Sequence, residues 1–246
     1  MLKEDMIREA VILREKGFPP SDAPMKRGNA AERQFQVPVG ERMVTVYEFV
    51  PETKTETSST VLINFHGGGF VKGRAERDSV YCSNLAEQLK IPVWDVDYAL
   101  SPEYPYPTAL EDAWEVCAFA VAQGKRVMLA GHSAGGNLAV GVCILDGERD
   151  QIHPLGLLAE YFPADMATDP MSKLSKGQLA QEKEVMRART GQMYNLFYCG
   201  EQDGRDPLIS PLFAEEGQLK GFPDTMVLSA GKDKLREEDE MFALKL

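Results

Sequence analysis

Residues 126–140 read RVMLAGHSAGGNLAV, and this stretch decides the fold. An apolar run stops at Gly131-His132-Ser133-Ala134-Gly135 and gives way to small and apolar residues without proline. A G-x-S-x-G pattern is informative between a strand and a helix, where the serine sits on a turn tight enough to lift its Oγ above the sheet. A Cβ at position 131 or 135 would collide with neighbouring chain there, so glycine is needed at both. A helix beginning behind Ser133 also aims free N–H groups and the positive end of its dipole at charge developing near the serine. The plain alternative is a glycine-rich turn with a chance serine. The flanking strand, the flanking helix and a second motif upstream weigh against it.

Working outward, TVLINF (60–65) is a continuous apolar run that ends at His66-Gly67-Gly68-Gly69-Phe70. Such runs suit strands buried on both faces of a parallel sheet. Further strands are expected at 44–51, 92–98, 155–163 and 225–231, with helices at 79–90, 107–123 and 134–146. Strand and helix alternate from about residue 60, the signature of an α/β fold with crossover helices. The N-terminus, MLKEDMIREAVILREKG, reads as an amphipathic helix and not a signal peptide. Loop-like chain follows at 17–30, and 52–59 reads as a solvated turn. Residues 164–224 are rich in Met, Lys, Gln and Glu, with a helical stretch at 178–197. They are expected to form a cap over the carboxyl ends of the strands; a surface helix in a long connection is the alternative.

The 246 residues are 43% apolar and 26% charged, enough for one α/β domain with a deep core. A net charge of −11 argues against a nucleic-acid partner and against anionic membrane surfaces. No stretch approaches the ~20 apolar residues of a membrane span. Cys82, Cys117, Cys143 and Cys199 are widely spaced, which suits reduced thiols in a cytoplasmic protein. Neither a disulfide framework nor a zinc site is suggested, and His66, His132 and His153 form no ligand cluster.

Three consecutive glycines after a strand let backbone N–H groups turn toward a ligand at close range. Gly68 and Gly69, with Ala134 behind the serine, are therefore candidates for an oxyanion hole. A phosphate loop fits poorly, since no G-K-[ST] follows and no G-x-G-x-x-G opens the next helix. HGGGF, then DYALSPEYPYPTALED (97–112), then GHSAGGN resemble, in order, the hormone-sensitive-lipase branch of the α/β-hydrolase carboxylesterases. DPLISPL (206–212) resembles that family's stretch after the cap.

The resemblance implies an α/β-hydrolase fold: a mostly parallel sheet flanked by helices, in one domain. Residues 1–35 and about 164–205 would form the cap, and about 40–163 and 206–246 the core. It implies a serine carboxylesterase that uses Ser133 as nucleophile, works through an acyl-enzyme and needs no cofactor. The substrate would be a small ester, and short acyl chains are expected because the cap lacks a long apolar stripe. LSAGKDKLREEDEMFALKL matches the family's acid motif and makes Asp233 the triad acid. Asp233 also suits a helix-capping role, and both can hold at once. Asp165, Asp203 and Asp206 are less well placed. Oligomeric state stays open, a homodimer included.

Chain order in this fold is Ser, acid, His. Only 13 residues follow Asp233, and none is histidine. The family carries its histidine on a loop after one further strand, so the sequence is expected to be an esterase fragment lacking the final strand and its loop. As such it is expected to be inactive and prone to associate through the uncovered strand near 225–230. The competing reading is a non-catalytic small-molecule-binding protein of the same fold; plant hormone receptors resembling this family keep the fold while losing the histidine, but they lose the residue and not the strand.

Overall fold

The apolar runs of the sequence become neighbouring strands of one seven-stranded sheet. The computed structural model describes residues 3–18, 26–53 and 59–246. Parts of the loop 17–30 and of the turn 52–59 lie outside the described residues. In chain order the strands are β1 (Ala31–Val39), β2 (Arg42–Val50), β3 (Thr60–Phe65), β4 (Val93–Asp97), β5 (Arg126–His132), β6 (Leu157–Glu160) and β7 (Thr225–Leu228). Across the sheet they run β1-β2-β4-β3-β5-β6-β7. β2 is antiparallel to both its neighbours, and every pair from β4 to β7 is parallel.

The helices are α1 (Lys3–Glu15), α2 (Glu76–Leu89), α3 (Thr108–Ala122), α4 (Ala134–Arg149), α5 (Lys176–Leu179), α6 (Glu182–Cys199), α7 (Glu216–Leu219) and α8 (Arg236–Ala243). β3 lies between β4 and β5 with all six residues buried, as its mostly apolar sequence suits, and its buried Asn64 donates to Asp95 at 2.7 Å. α4 is buried from Ala134 through Leu145. Its small residues make that close fit feasible: a Cβ on Gly141 would stand 2.9 Å from Leu110 of α3.

The sheet begins earlier than the sequence suggested. Residues 31–35, expected in the cap, are the first half of β1, paired from Ala31↔Val50 to Val39↔Arg42. At the other edge is β7, whose Met226 and Leu228 are 63% and 46% exposed. All four cysteines are buried free thiols. Among the described residues no helix is long and apolar enough to cross a membrane, and no cluster of His, Cys, Asp or Glu could hold a metal ion.

α1 and α6 meet over the carboxyl ends of the strands through a small apolar cluster of Ala10, Val71 and Phe197, with Met193 and Tyr194 packed against it. The charged residues of the 97–112 stretch serve as braces. Asp112 is buried, holds Arg42 through both its oxygens (2.5 and 3.1 Å), and accepts the Ala99 N–H at 2.8 Å. Glu103 holds Arg14 of α1 through two contacts of 2.7 Å. Tyr106 donates to Asp206 at 3.0 Å, tying this stretch to the chain after α6.

Candidate active site

Ser133 stands between β5 and α4 with φ 54° and ψ −124°. A side chain in this region of backbone space is strained and is held there only by its surroundings. Those surroundings are glycine backbone at very close range. A Cβ on Gly131 would lie 2.2 Å from the Gly135 oxygen, and one on Gly135 would lie 1.8 Å from the Phe65 oxygen. The turn is pinned on its far side as well. Ser133 N–H donates to the Glu160 carbonyl (2.9 Å), and Asn137 Nδ2 bridges the carbonyls of Pro163 and Ile209, both at 2.8 Å.

The glycine loop follows β3 directly. Gly68 and Gly69 have φ of +147° and +62°, and the Gly68 carbonyl accepts the N–H groups of Val71 and Lys72. A Cβ on Gly68 would meet the Lys72 oxygen at 2.4 Å, so this glycine holds the loop's shape as well as leaving room for a ligand. Ala134 is the first residue of α4, where an N–H has no intrahelical acceptor. Gly69, Ser133, Ala134 and Asp233 all line one cavity of about 750 Å³. That volume lies within the range of small-molecule sites.

Asp233 follows β7, with its N–H on the Ala230 carbonyl (2.8 Å) and its Oδ1 accepting the Leu235 N–H (3.1 Å). It therefore steadies the start of α8 while its carboxylate borders the cavity. The other acids fare differently. Asp206 is taken by Tyr106 and by the Leu208 N–H (2.9 Å), and Asp203 by the Arg205 N–H (2.9 Å). Asp165 lines the cavity but is turned onto the N–H groups of Ala167 and Thr168.

The three histidines are engaged elsewhere. His66 is fully buried, stacked on Tyr98 at 4.3 Å, with Nδ1 beside the Gly67 carbonyl (3.0 Å). His132 Nε2 accepts the Gly67 N–H at 3.0 Å and also lies 3.4 Å from the buried Asp78 Oδ1. The ring thus braces the glycine loop against the strand that carries the serine. His153 lies beyond the far end of α4, its Nδ1 3.8 Å from Asp146 and 3.7 Å from Asp150. Among the described residues Ser133 Oγ has no hydrogen-bond partner.

Two features escaped sequence reasoning. Tyr194 of α6 lies flat against the glycine loop: a Cβ on Gly69 would be 2.2 Å from its ring. Lys234, the residue after Asp233, lines the same cavity. Neither has a local signal, because each acts through contact between the cap and the loops of the core.

Beneath Asp233, α8 buries two acids. Asp239 accepts the Phe162 N–H at 3.1 Å, while its second oxygen lacks a partner among the described residues. Burial pushes its carboxyl up to about 8, reinforced by the neighbouring Glu238. Burial raises Glu238 to about 7 against the pull of Lys173, 2.5 Å away. A carboxyl raised on folding holds its proton in the native state at pH values where the unfolded chain has lost it. Its contribution is therefore present below about pH 4 and falls away as pH rises toward 8. Asp239→Asn keeps the acceptor for Phe162 N–H and removes the titration. We expect its stability relative to the parent to rise by about 1 kcal/mol per pH unit between pH 5 and 8, read from denaturant midpoints. A constant offset across that range would count against the account.

With this geometry in view, the comparisons with known proteins give the class. The profile described as alpha/beta hydrolase fold matches residues 62–246, and the chain belongs to that family. Its relatives are named as esterases and lipases. An esterase of Acinetobacter venetianus is 28% identical over 200 residues, covering 79% of this chain and 64% of its own length. The carboxylic ester hydrolase LipN of Mycobacterium tuberculosis is 31% identical over 203 residues, covering 77% and 52%. Human hormone-sensitive lipase is 38% identical over 128 residues, covering 48% of this chain and 12% of that one. The chain thus spans less than two thirds of the length of these curated relatives. Among solved structures, the carboxylesterase EstE1 from a metagenomic library is 27% identical with a TM-score of 0.79, covering 99% of this chain and 81% of that one.

Proposed function

We propose that this chain carries the nucleophile, the acid and the oxyanion donors of a serine carboxylic ester hydrolase. Ser133 Oγ attacks the ester carbonyl, and the N–H groups of Gly68, Gly69 and Ala134 receive the negative charge that develops on its oxygen. Asp233 orients an imidazole and stabilises its charged form, and water then releases the acyl group. The observation that carries the reading is the strained Ser133 at the head of α4, sharing one cavity with Gly69, Ala134 and Asp233. Relatives named esterase and carboxylic ester hydrolase support the ester as substrate.

None of the three histidines is placed to take the serine's proton, so these 246 residues lack the imidazole that the mechanism needs. Acylation without it is slow, and deacylation is slow for the same reason. Excess 4-nitrophenyl acetate should therefore leave a lasting acetyl group, found by intact mass and mapped to Ser133, that the Ser133→Ala protein does not acquire. An unmodified Ser133 after prolonged exposure would favour the non-catalytic binding protein instead.

The cavity's walls include Asp165, Lys173, Glu184 and Arg187, a poor sheath for a fatty chain. In a form that supplies the imidazole, rates on 4-nitrophenyl esters from acetate to palmitate should peak at short acyl lengths. A maximum at ten carbons or longer would defeat this preference.

A further inference from the structure

The cavity that holds Ser133 contains four carboxylates and four cationic side chains, and most of them pair with each other. Lys173 Nζ stands 2.5 Å from Glu238 and 3.9 Å from Asp165. Arg187 is 2.7 Å from Glu184. In the proposed reaction Asp233 is committed to the imidazole. What remains is positive. Lys234 is half-buried, and among the described residues no carboxylate oxygen lies within 4.0 Å of its Nζ. Among the described residues its one hydrogen bond is to the Arg187 carbonyl of α6, at 3.2 Å. Lys232 is exposed and lines the same cavity, also without an ion pair among the described residues.

Burial lowers the Lys234 pKa despite the nearby Asp233 carboxylate, so the ammonium is under-solvated where it stands. An ammonium carries three donors, and here one carbonyl takes one of them. Its surroundings hold it in place. Nζ lies against Gly191, where a Cβ would come within 3.0 Å, and Pro170 flanks the same spot.

We propose that the pocket takes an ester bearing a second, anionic group of the carboxylate class, held by Lys234 with Lys232 beside it. The proposal rests on the esterase reading, which makes the cavity the ester site and commits Asp233 elsewhere. A free carboxylate entering a partly dry pocket would meet a charge-assisted donor in the Lys234 ammonium. A neutral ester of the same shape finds none and leaves the ammonium unsatisfied. The carboxylate could sit on the acyl side of the ester or on the alcohol side.

Binding measured calorimetrically on the Ser133→Ala chain tests this without turnover. Methyl hydrogen glutarate carries the carboxylate on the acyl side and has methyl 5-methylhexanoate as its neutral counterpart. 4-Acetoxybutanoate carries it on the alcohol side, against 4-methylpentyl acetate. At low ionic strength one of the two anions should bind about tenfold or more tighter than its neutral partner, and the arm that does so identifies the side. The preference should shrink as salt rises, disappear in Lys234→Gln and persist in Lys234→Arg. Glutamine retains a donor for the Arg187 carbonyl, so its loss of preference reports charge and not the brace. Equal affinity for anion and neutral partner in both arms, or a preference that survives Lys234→Gln, would overturn the proposal. Should Lys234→Gln fail to fold, the salt dependence in the unaltered lysine background decides the matter. Acetylation of Ser133 by the neutral 4-nitrophenyl acetate is read separately, so the esterase reading and the anion preference fail independently.

Discussion

Replacing Gly135 by alanine is expected to lower the thermal midpoint by roughly 10 °C or more. The added methyl would lie 1.8 Å from the Phe65 oxygen, 2.4 Å from its carbonyl carbon and 2.7 Å from the His66 oxygen. All three are backbone atoms of β3 and the loop after it, so no side chain can rotate away. Relief requires α4 to back off from the sheet, and α4 is buried along three quarters of its length. Forced overpacking of this kind belongs with the rare substitutions that cost ~4 kcal/mol or more. For a chain of this size that corresponds to roughly 8–16 °C. Gly217→Ala is the matched control: it lies in the short helix α7 with no atom within 4 Å of the added methyl, and should leave the midpoint unchanged or slightly raised. A Gly135→Ala midpoint within about 2 °C of the parent would mean that the elbow is far more compliant than its packing implies.

The same crowding explains why the elbow could be read from sequence alone. Gly131 and Gly135 are dictated by backbone at under 2.5 Å, and such a constraint leaves a residue type behind at a fixed spacing. β3 was equally legible, because burial on both faces leaves a mostly apolar run, interrupted by Asn64, which donates to Asp95 at 2.7 Å. β1 was not. Its first four residues are exposed, and AERQFQVPV places charge, amide and proline where a strand usually shows β-formers. Its one signal is the turn: Gly40 with φ +57° joins Val39 and Arg42 as a two-residue hairpin, and Pro38 is tolerated because β1 is an edge strand. In the cavity, the serine and the glycines have local motifs, whereas Lys234 and Tyr194 do not. Their surroundings are made by α6, about forty residues from Lys234 and over a hundred from the glycine loop that Tyr194 covers. Composition and spacing carry no trace of contacts made only on folding.

The 246-residue chain itself is expected to show no useful esterase turnover. Ser133 in water is a weak nucleophile, and a triad works because an imidazole takes the Oγ proton and later delivers it to the leaving group. Losing that base typically lowers kcat by ~10⁶, leaving only the ~10³–10⁴ over water that the oxyanion hole and binding supply. The histidines present cannot make up the loss. α4 has 16 residues and at ~1.5 Å per residue is roughly 24 Å long, with Ser133 at its head and His153 three residues past its C-terminal cap, Asp150. His132 is adjacent to Ser133 in the chain, but the Gly67 N–H occupies its Nε2. His66 is fully buried against Tyr98. The measurement is kcat on 4-nitrophenyl acetate, with Ser133→Ala as baseline. A rate near the enzyme median of ~10 s⁻¹, abolished by Ser133→Ala, would mean that one of these rings does reach the serine. His132→Gln would then be the first variant to make, since His132 adjoins Ser133 in the chain. A residual rate barely above the Ser133→Ala baseline, rising by orders of magnitude when a strand and a histidine-bearing loop are appended after Leu246, would show that the preceding residues already hold every other part of the machinery in place.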